Sequence, residues 1–397
     1  MELYVCRYVQ PSAHYTTDAP FYMPDRVLDV YSSLIWCERY QEPGEFVLIL
    51  RATPELMQYF CDNELLILRK DTGYGMIPEI IELTEDPEAG DTLKIAGRSV
   101  ESLLNRRVIT QTLTWNENML SGTAANAVTY FAEKNVSDFY WYHNDITGLY
   151  TDKYRYLPFL GIHNLTLDEF LKDFPEKITA QPFGENLGVF ASETAKACGF
   201  GYRILTDRDT MRMTLDVYAG ADRSLEQEER APVIFAPGFA ELGRTVYTVD
   251  RRGYYNVGYA GGEGDGKDRA IGVGLHGEFV NSPPFYWKSM GVPRREYYVD
   301  AKSVSSNSDG VTDALTYQGL LDSTARAAVD ARGVKSDFFG EALPGGSYRY
   351  RRDYFLGDKV SVRTKFGISG TAVVTEVTET IDEAGHQIIP TLSDWRD

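Results

Sequence analysis

The sequence predicts a β-rich α+β chain with two related β-domains and α+β insertions between them. Two stretches carry the prediction. Lys359–Lys365, Thr371–Ile381 and His386–Leu392 have strand character, alternating polar and apolar residues or rich in Thr and Val. Phe366–Gly370 and Asp382–Gly385 separate them, so the three runs form an antiparallel meander. Glu64–Lys70, Met76–Glu85 and Asp91–Gly97 repeat the layout, and adding 295 to each number lays this copy on the other without a gap. Leu65 then falls on Val360, Gly90 on Gly385 and Leu93 on Ile388. Identity between the copies is low, and two unrelated meanders of a common layout would look the same. If the domain is duplicated, two similar domains per chain build a ring with twice as many positions as subunits.

The remaining elements follow in order. Leu3–Val9 is a strand. Arg26–Tyr40 and Gly44–Arg51 are strands joined by the turn Gln41–Gly44. Thr53–Phe60 is a short helix with Pro54 in its first turn. After the first meander, Arg98–Val108 reads as helical, with Ser99 as N-cap and half a capping box. From Ile109 to Glu229 the character changes. Thr123–Asn135, Leu167–Phe174 and Asn186–Cys198 are helices, the last stopped by Gly199, and Tyr202–Thr206 with Arg212–Tyr218 is a hairpin. Leu225–Ala231 is a charged linker. Strands return at Val233–Phe235, Glu241–Asp250 and Tyr255–Ala260. Gly261–Lys267 is a turn and Arg269–Gly274 the returning strand. Pro283–Asp300 reads as irregular. Thr316–Arg332 is a helix stopped by Gly333.

Composition bounds the function. A chain of 397 residues exceeds one domain, and its 43 % apolar content fills packed cores. No apolar run is long enough to span a membrane, and the start MELYVCRYV has no signal-peptide pattern, so folding in a cytosol is expected. Cys6, Cys37, Cys61 and Cys198 form no CxxC pair, and the 5 histidines form no HxxxH or HExxH. No metal, cofactor or disulfide framework is indicated. The net charge of −18 argues against binding nucleic acid through its phosphates. Solubility alone explains an acidic surface; a lumen to which DNA does not stick is the sharper reading.

Four constellations invite chemistry. Gly261–Asp268 (GGEGDGKD) satisfies GxxxxGK, but Asp268 stands where Ser or Thr would hold magnesium, Glu263 and Asp265 would repel phosphate, and a strand follows. It reads as a hairpin turn. The aromatic run Phe139–Tyr156, including Tyr140, Trp141 and Tyr142, suits packing or assembly more than a carbohydrate platform. Tyr348, Arg349, Tyr350, Arg351 and Arg352 form a basic aromatic patch: either a strand edge with solvated arginines or an interface, to which Tyr and Arg are partial. There is no GxSxG and no carboxylate pair stands out, so no catalytic residue is nominated.

Several segments resemble a family of siphophage tail proteins of the ReqiPepy type. Gly97–Arg107 (GRSVESLLNRR) resembles its "GRSLESLLDRR" element. Tyr255–Val257 with Gly261–Gly264 and Arg269 resembles its "YKNVALVAGEGEGADR" hairpin. Tyr350, Asp353, Tyr354, Leu356–Asp358 and Val360 resemble "YRYGVDYDLGDIV", and Glu376, Val377 and Ile389–Thr391 its closing segment. Leu392 and Ser393 depart from the family's Phe-Gly. The resemblance covers nearly the whole chain. It implies a tail hub similar to the central hub of contractile baseplates, with two β-barrel domains alternating in a homotrimer to make a pseudo-sixfold ring. It further implies a place at the virion tail tip, assembly in the bacterial host cytoplasm, no catalysis, and DNA only in transit through the lumen. Expected partners are the distal tail protein or tail-tube ring, the C-terminus of the tape-measure protein, and fibres or a spike. The expected division is 1–110 (first barrel), 111–231 (α+β insertion), 232–283 with 348–397 (second barrel, split) and 284–347 (helical insertion). A carbohydrate-binding adhesin using 139–156 is the alternative, and a cell-wall hydrolase a third reading.

Overall fold

The computed structural model describes residues 2–9, 22–119, 122–137, 157, 159–163, 165–238, 240, 242–276, 292–306 and 314–396. They form two compact units, Met1–Thr245 with Phe339–Trp395, and Val246–Phe338. The first begins with β1 (Leu3–Tyr8), β2 (Tyr22–Leu28), β3 (Ser33–Arg39) and β4 (Glu45–Arg51). The single strand expected over Arg26–Tyr40 is therefore two. It breaks because its halves serve different neighbours: Leu28 lies opposite Leu3 on β1, whereas Trp36 lies opposite Phe46 on β4. Helix α1 (Pro54–Asp62) starts at Thr53, whose hydroxyl accepts the Leu56 amide.

The first meander is β5 (Leu65–Arg69), β6 (Gly75–Thr84) and β7 (Thr92–Ser99), antiparallel throughout. All five residues of β5 are buried. Alternation explains it: Leu65 and Ile67 enter one core with Trp36 and Phe46, while Leu66 and Leu68 enter another with Leu104 and Phe131. Beyond β7 the expected helix is shorter and tighter, a 3-10 helix over Val100–Arg106. Ser99 does not cap it; the hydroxyl instead accepts the Gly44 amide at 2.8 Å, which ties β7 to the β3–β4 turn.

Next come α2 (Ala124–Ala132), β8 (Leu160–Ile162), α3 (Leu167–Asp173), α4 (Leu187–Cys198), β9 (Gly201–Thr206) and β10 (Met213–Tyr218). Gly199 ends α4 in the left-handed region, φ 72°. The expected hairpin is β9–β10, with β8 added parallel to β10. Two short strands follow, β11 (Asp222–Arg223) and β12 (Ile234–Phe235).

β13 (Leu242–Asp250) leads out of the first unit. The second unit holds β14 (Val257–Gly261), β15 (Ile271–Leu275), β16 (Glu296–Asp300) and α5 (Ala314–Asp330). The GGEGDGKD segment is indeed the turn of the antiparallel β14–β15 hairpin. Glu296–Asp300, expected to be irregular, is a strand, because it pairs in parallel with β14. The helix lies directly on strand backbone. A Cβ on Gly274 would stand 2.1 Å from the Arg326 nitrogen, and one on Gly258 2.3 Å from the Ala325 carbonyl oxygen.

β17 (Lys335–Ala342) leads back, and the second meander is β18 (Lys359–Arg363), β19 (Ser369–Asp382) and β20 (Gly385–Arg396). β20 continues past the family departure at Leu392 and Ser393. The copies differ in register by one residue. Ile67 lies opposite Met76, but Val362, its counterpart, lies opposite Gly370 rather than Thr371. The long β19 holds β18 along Ser369–Val373 and β3 along Glu376–Ile381. Both meanders thus belong to one open sheet, β17–β20–β19–β3–β4–β7–β6–β5–β1–β2, with β18 beside β19 and β11 and β12 on β18. No closed barrel appears among the described residues. Nor is any described helix long and apolar enough to cross a membrane.

Candidate functional site

Charged groups meet inside the first unit where β3, β5 and β19 converge. Arg69 sits on the doubly covered β5. Its Nη1 donates to Glu379 Oε1 at 2.6 Å and lies 3.6 Å from Glu38, while Nε and Nη2 reach Asp71 at 3.0 and 2.9 Å. Glu38 follows Leu34 and Trp36 on the inward face of β3, and accepts from the Trp36 indole and the Tyr350 hydroxyl, each at 3.1 Å. Arg351 Nη2 reaches the same carboxylate at 2.6 and 2.9 Å. Glu379 also meets His386 Nε2 at 3.2 Å. The side chains of Arg69, Glu38 and Glu379 are each 3 % exposed, so these charges survive burial only by answering one another. Burial works against the Arg69 charge, but Asp71 and Glu379 outweigh it and hold its pKa above the ordinary value.

Arg351 reaches inward because its backbone is left-handed, φ 65°, a strained state for a non-glycine residue. The surrounding turn holds it there: the Arg349 amide donates to Asp353 at 2.8 Å and the Asp353 amide to the Arg349 carbonyl at 2.9 Å. Beside it a cleft of about 410 Å³ is lined by Tyr74, Arg203, Tyr218, Arg223, Arg351 and Asp358, among others. Asp358 is a buried hub, accepting from the Ala221 amide at 2.8 Å, Arg223 Nε at 2.7 Å and the Phe355 amide at 2.9 Å. Arg203 is paired with Asp216 at 2.9 Å. Every arginine lining the cleft therefore has a carboxylate of its own. Burial pushes the Tyr74 phenol up to about 12. These groups cross-link strands and loops; none is arranged as a nucleophile with its base. Among the described residues no group of three His, Cys, Asp or Glu is placed to hold a metal ion.

The segments singled out by sequence act as joints of the same kind. A Cβ on Gly97 would lie 1.9 Å from the Ile77 carbonyl oxygen, so only glycine fits there. Arg98 grips Glu79 through two bonds of 2.7 and 2.8 Å. Glu101, wholly buried, accepts the Ile204 amide at 2.6 Å and so ties the 3-10 helix to β9; burial raises its pKa. In the second unit the Glu263 carboxylate accepts from the Ser306 hydroxyl at 2.6 Å and amide at 3.1 Å, and Arg269 reaches Asp300 at 3.1 Å. The glycine-rich turn binds its own chain.

Among the described candidate interface residues, those of Tyr348–Arg352 divide between inward and outward positions. Tyr140, Trp141 and Tyr142 lie outside the described residues. Tyr348 donates to the Pro232 carbonyl at 3.5 Å, and Tyr350 and Arg351 turn toward Glu38. Arg349 and Arg352 remain exposed, Arg352 paired with Asp353 at 2.6 Å. Sequence reasoning missed Glu38, Arg69 and Glu379, and met Asp358 only as part of the family pattern. The readable signal was a charge in phase with apolar neighbours: Glu38 follows Trp36 by two residues, and Glu379 follows Val377.

Residues 25–392 match the family model for the siphovirus ReqiPepy6 Gp37-like protein. The chain belongs to that siphovirus tail protein family. It is a structural protein of a phage tail. No curated protein matches it. Among solved structures it is similar to the prophage MuSo2 43 kDa tail protein from Shewanella oneidensis, at 10 % identity and TM-score 0.48, over 99 % of this chain and 98 % of that one. It is similar to the tail protein from Neisseria meningitidis MC58 at 13 % identity and TM-score 0.45, over 99 % and 96 %. Prophage tail protein gp18 from Listeria monocytogenes gives 11 % and 0.44, over 99 % and 94 %. Likenesses of this degree decide no role; membership of the family rests on the match along residues 25–392.

Proposed function

We propose that this tail protein is the hub at the distal tip of a siphophage tail, working by geometry. Three copies, each contributing two related β-domains, form a pseudo-sixfold ring that joins the tail tube to the tip and lets DNA pass. The observation that carries the reading is the pair of antiparallel meanders within one sheet, in a chain of this family. In this reading 1–110 and 232–283 with 348–397 are the two barrel-like domains, and 111–231 and 284–347 face neighbours, fibres or a spike. Exposed Arg349 and Arg352 belong to that contact surface. The net charge of −18 suits a lumen through which DNA slides. Electron microscopy of the purified chain, class-averaged without imposed symmetry, tests it. Threefold rings with an open centre are the expected outcome. Compact single particles that the distal tail protein also fails to capture would rule the hub out.

A further inference from the structure

The chain's charge is unevenly shared. Residues 246–338 carry eleven Lys or Arg against twelve Asp or Glu, while the chain as a whole carries 40 against 58, so nearly all the negative excess lies outside the second unit. Three of that unit's seven arginines line one groove. This groove, of about 420 Å³, is lined by Thr248, Val249, Asp250, Arg251, Arg252 and Arg295. It holds three guanidiniums to one carboxylate. Arg252 takes that carboxylate at 2.7 Å, yet its side chain is 91 % exposed. The Arg251 side chain is exposed and has no partner among the described residues, and Arg295 donates to the Arg251 carbonyl while facing the Tyr254 ring. The groove keeps an excess of positive charge beside the Tyr254 ring, and Arg with aromatic residues is the pairing that interfaces favour.

The chain also presents the complement. The β6–β7 turn holds Glu85, Asp86, Glu88 and Asp91 without a single cation between Glu85 and Asp91. Asp86 and Asp91 are spent on the turn, Asp86 accepting the Glu88 and Ala89 amides at 2.8 and 3.0 Å and Asp91 the Asp86 amide at 3.1 Å, which leaves an ordered tip with the Glu85 and Glu88 carboxylates exposed. Just before it Ile80 and Leu83 are 57 % and 42 % exposed on β6, a match for the exposed Val249 at the groove. A preorganised acidic tip costs little to order on binding.

We infer that the arginine groove of one copy receives the Glu85–Asp91 turn of a second copy. The inference rests on the ring reading and names one of its contacts. Sedimentation of the full chain across a salt series tests it. Self-association should weaken as salt rises. Arg251→Glu with Arg252→Glu should weaken it by about a hundredfold in Kd, and adding Glu85→Arg with Glu88→Arg to the same chain should restore it. All four side chains are exposed, and circular dichroism checks that each variant is folded. Association unchanged by the arginine substitutions leaves the ring standing and overturns this contact. Loss without restoration overturns the Glu85–Asp91 turn as occupant, and so does capture of a duplex oligonucleotide that the arginine variant abolishes. A chain monomeric at every salt and concentration counts against the ring, and this contact with it.

Discussion

Removing Arg69 would leave Glu38 and Glu379 facing each other inside the sheet with only Arg351 between them. Breaking a buried pair from one side costs more than the pair contributes, because the remaining charge keeps its desolvation penalty. Arg69→Met should therefore lower stability by about 3 kcal/mol or more in urea unfolding. Its double variant with Glu379→Leu should recover part of the loss. Glu101 gives the opposite pH behaviour to a paired acid. Burial raises its folded pKa above the ordinary 4.5, so its neutral form favours the fold. Stability from this group is present below the ordinary value and is lost as pH rises toward the folded one. Glu101→Gln keeps an oxygen for the Ile204 amide. The variant should gain on the native chain as pH rises, so unfolding midpoints at pH ~4 and ~8 should diverge, with the larger gain at pH ~8.

At the scale of elements, the glycines of the second unit set how closely α5 approaches β14 and β15. Gly274→Ala places a methyl against the Arg326 backbone, and the helix must lift off, at a cost of about 2 kcal/mol or more. Gly319 is the internal control. It lies in the same helix with nothing near a Cβ, so Gly319→Ala should stabilise by about 0.5–1 kcal/mol. Thermal melts of both variants read the contrast directly; equal effects would mean that the close approach is not what holds the helix. The meanders teach a related lesson. Their strands were legible because alternation and turn residues are local signals. The one-residue difference in register was not, because alternation and turn residues mark a strand without fixing which residue of the next strand each one faces.

For the whole molecule, two compact units with separate cores predict two unfolding transitions. Calorimetry should resolve them, and Gly274→Ala should lower only one. Coincident shifts of both would show a single cooperative body.

The sequence by itself determined the β-rich α+β class of fold, both meanders, the Pro54 start of α1 and the Gly199 stop of α4, and, through motifs such as Gly97–Arg107, the family. These follow from short-range rules: period two in strands, proline in a helix's first turn, glycine as a left-handed helix stop. Only the tertiary structure decided that Arg26–Tyr40 breaks into two strands, that Glu296–Asp300 joins a sheet, and that Arg351 turns inward while Arg352 does not. Each of those outcomes depends on a partner outside the segment itself. The buried ion cluster is the clearest case, since Arg69 and Glu379 stand 310 residues apart and acquire a shared site only when β3 and β19 lie side by side. Local chemistry names the elements, but desolvation and pairing, which need the assembled neighbours, decide which charges go inside.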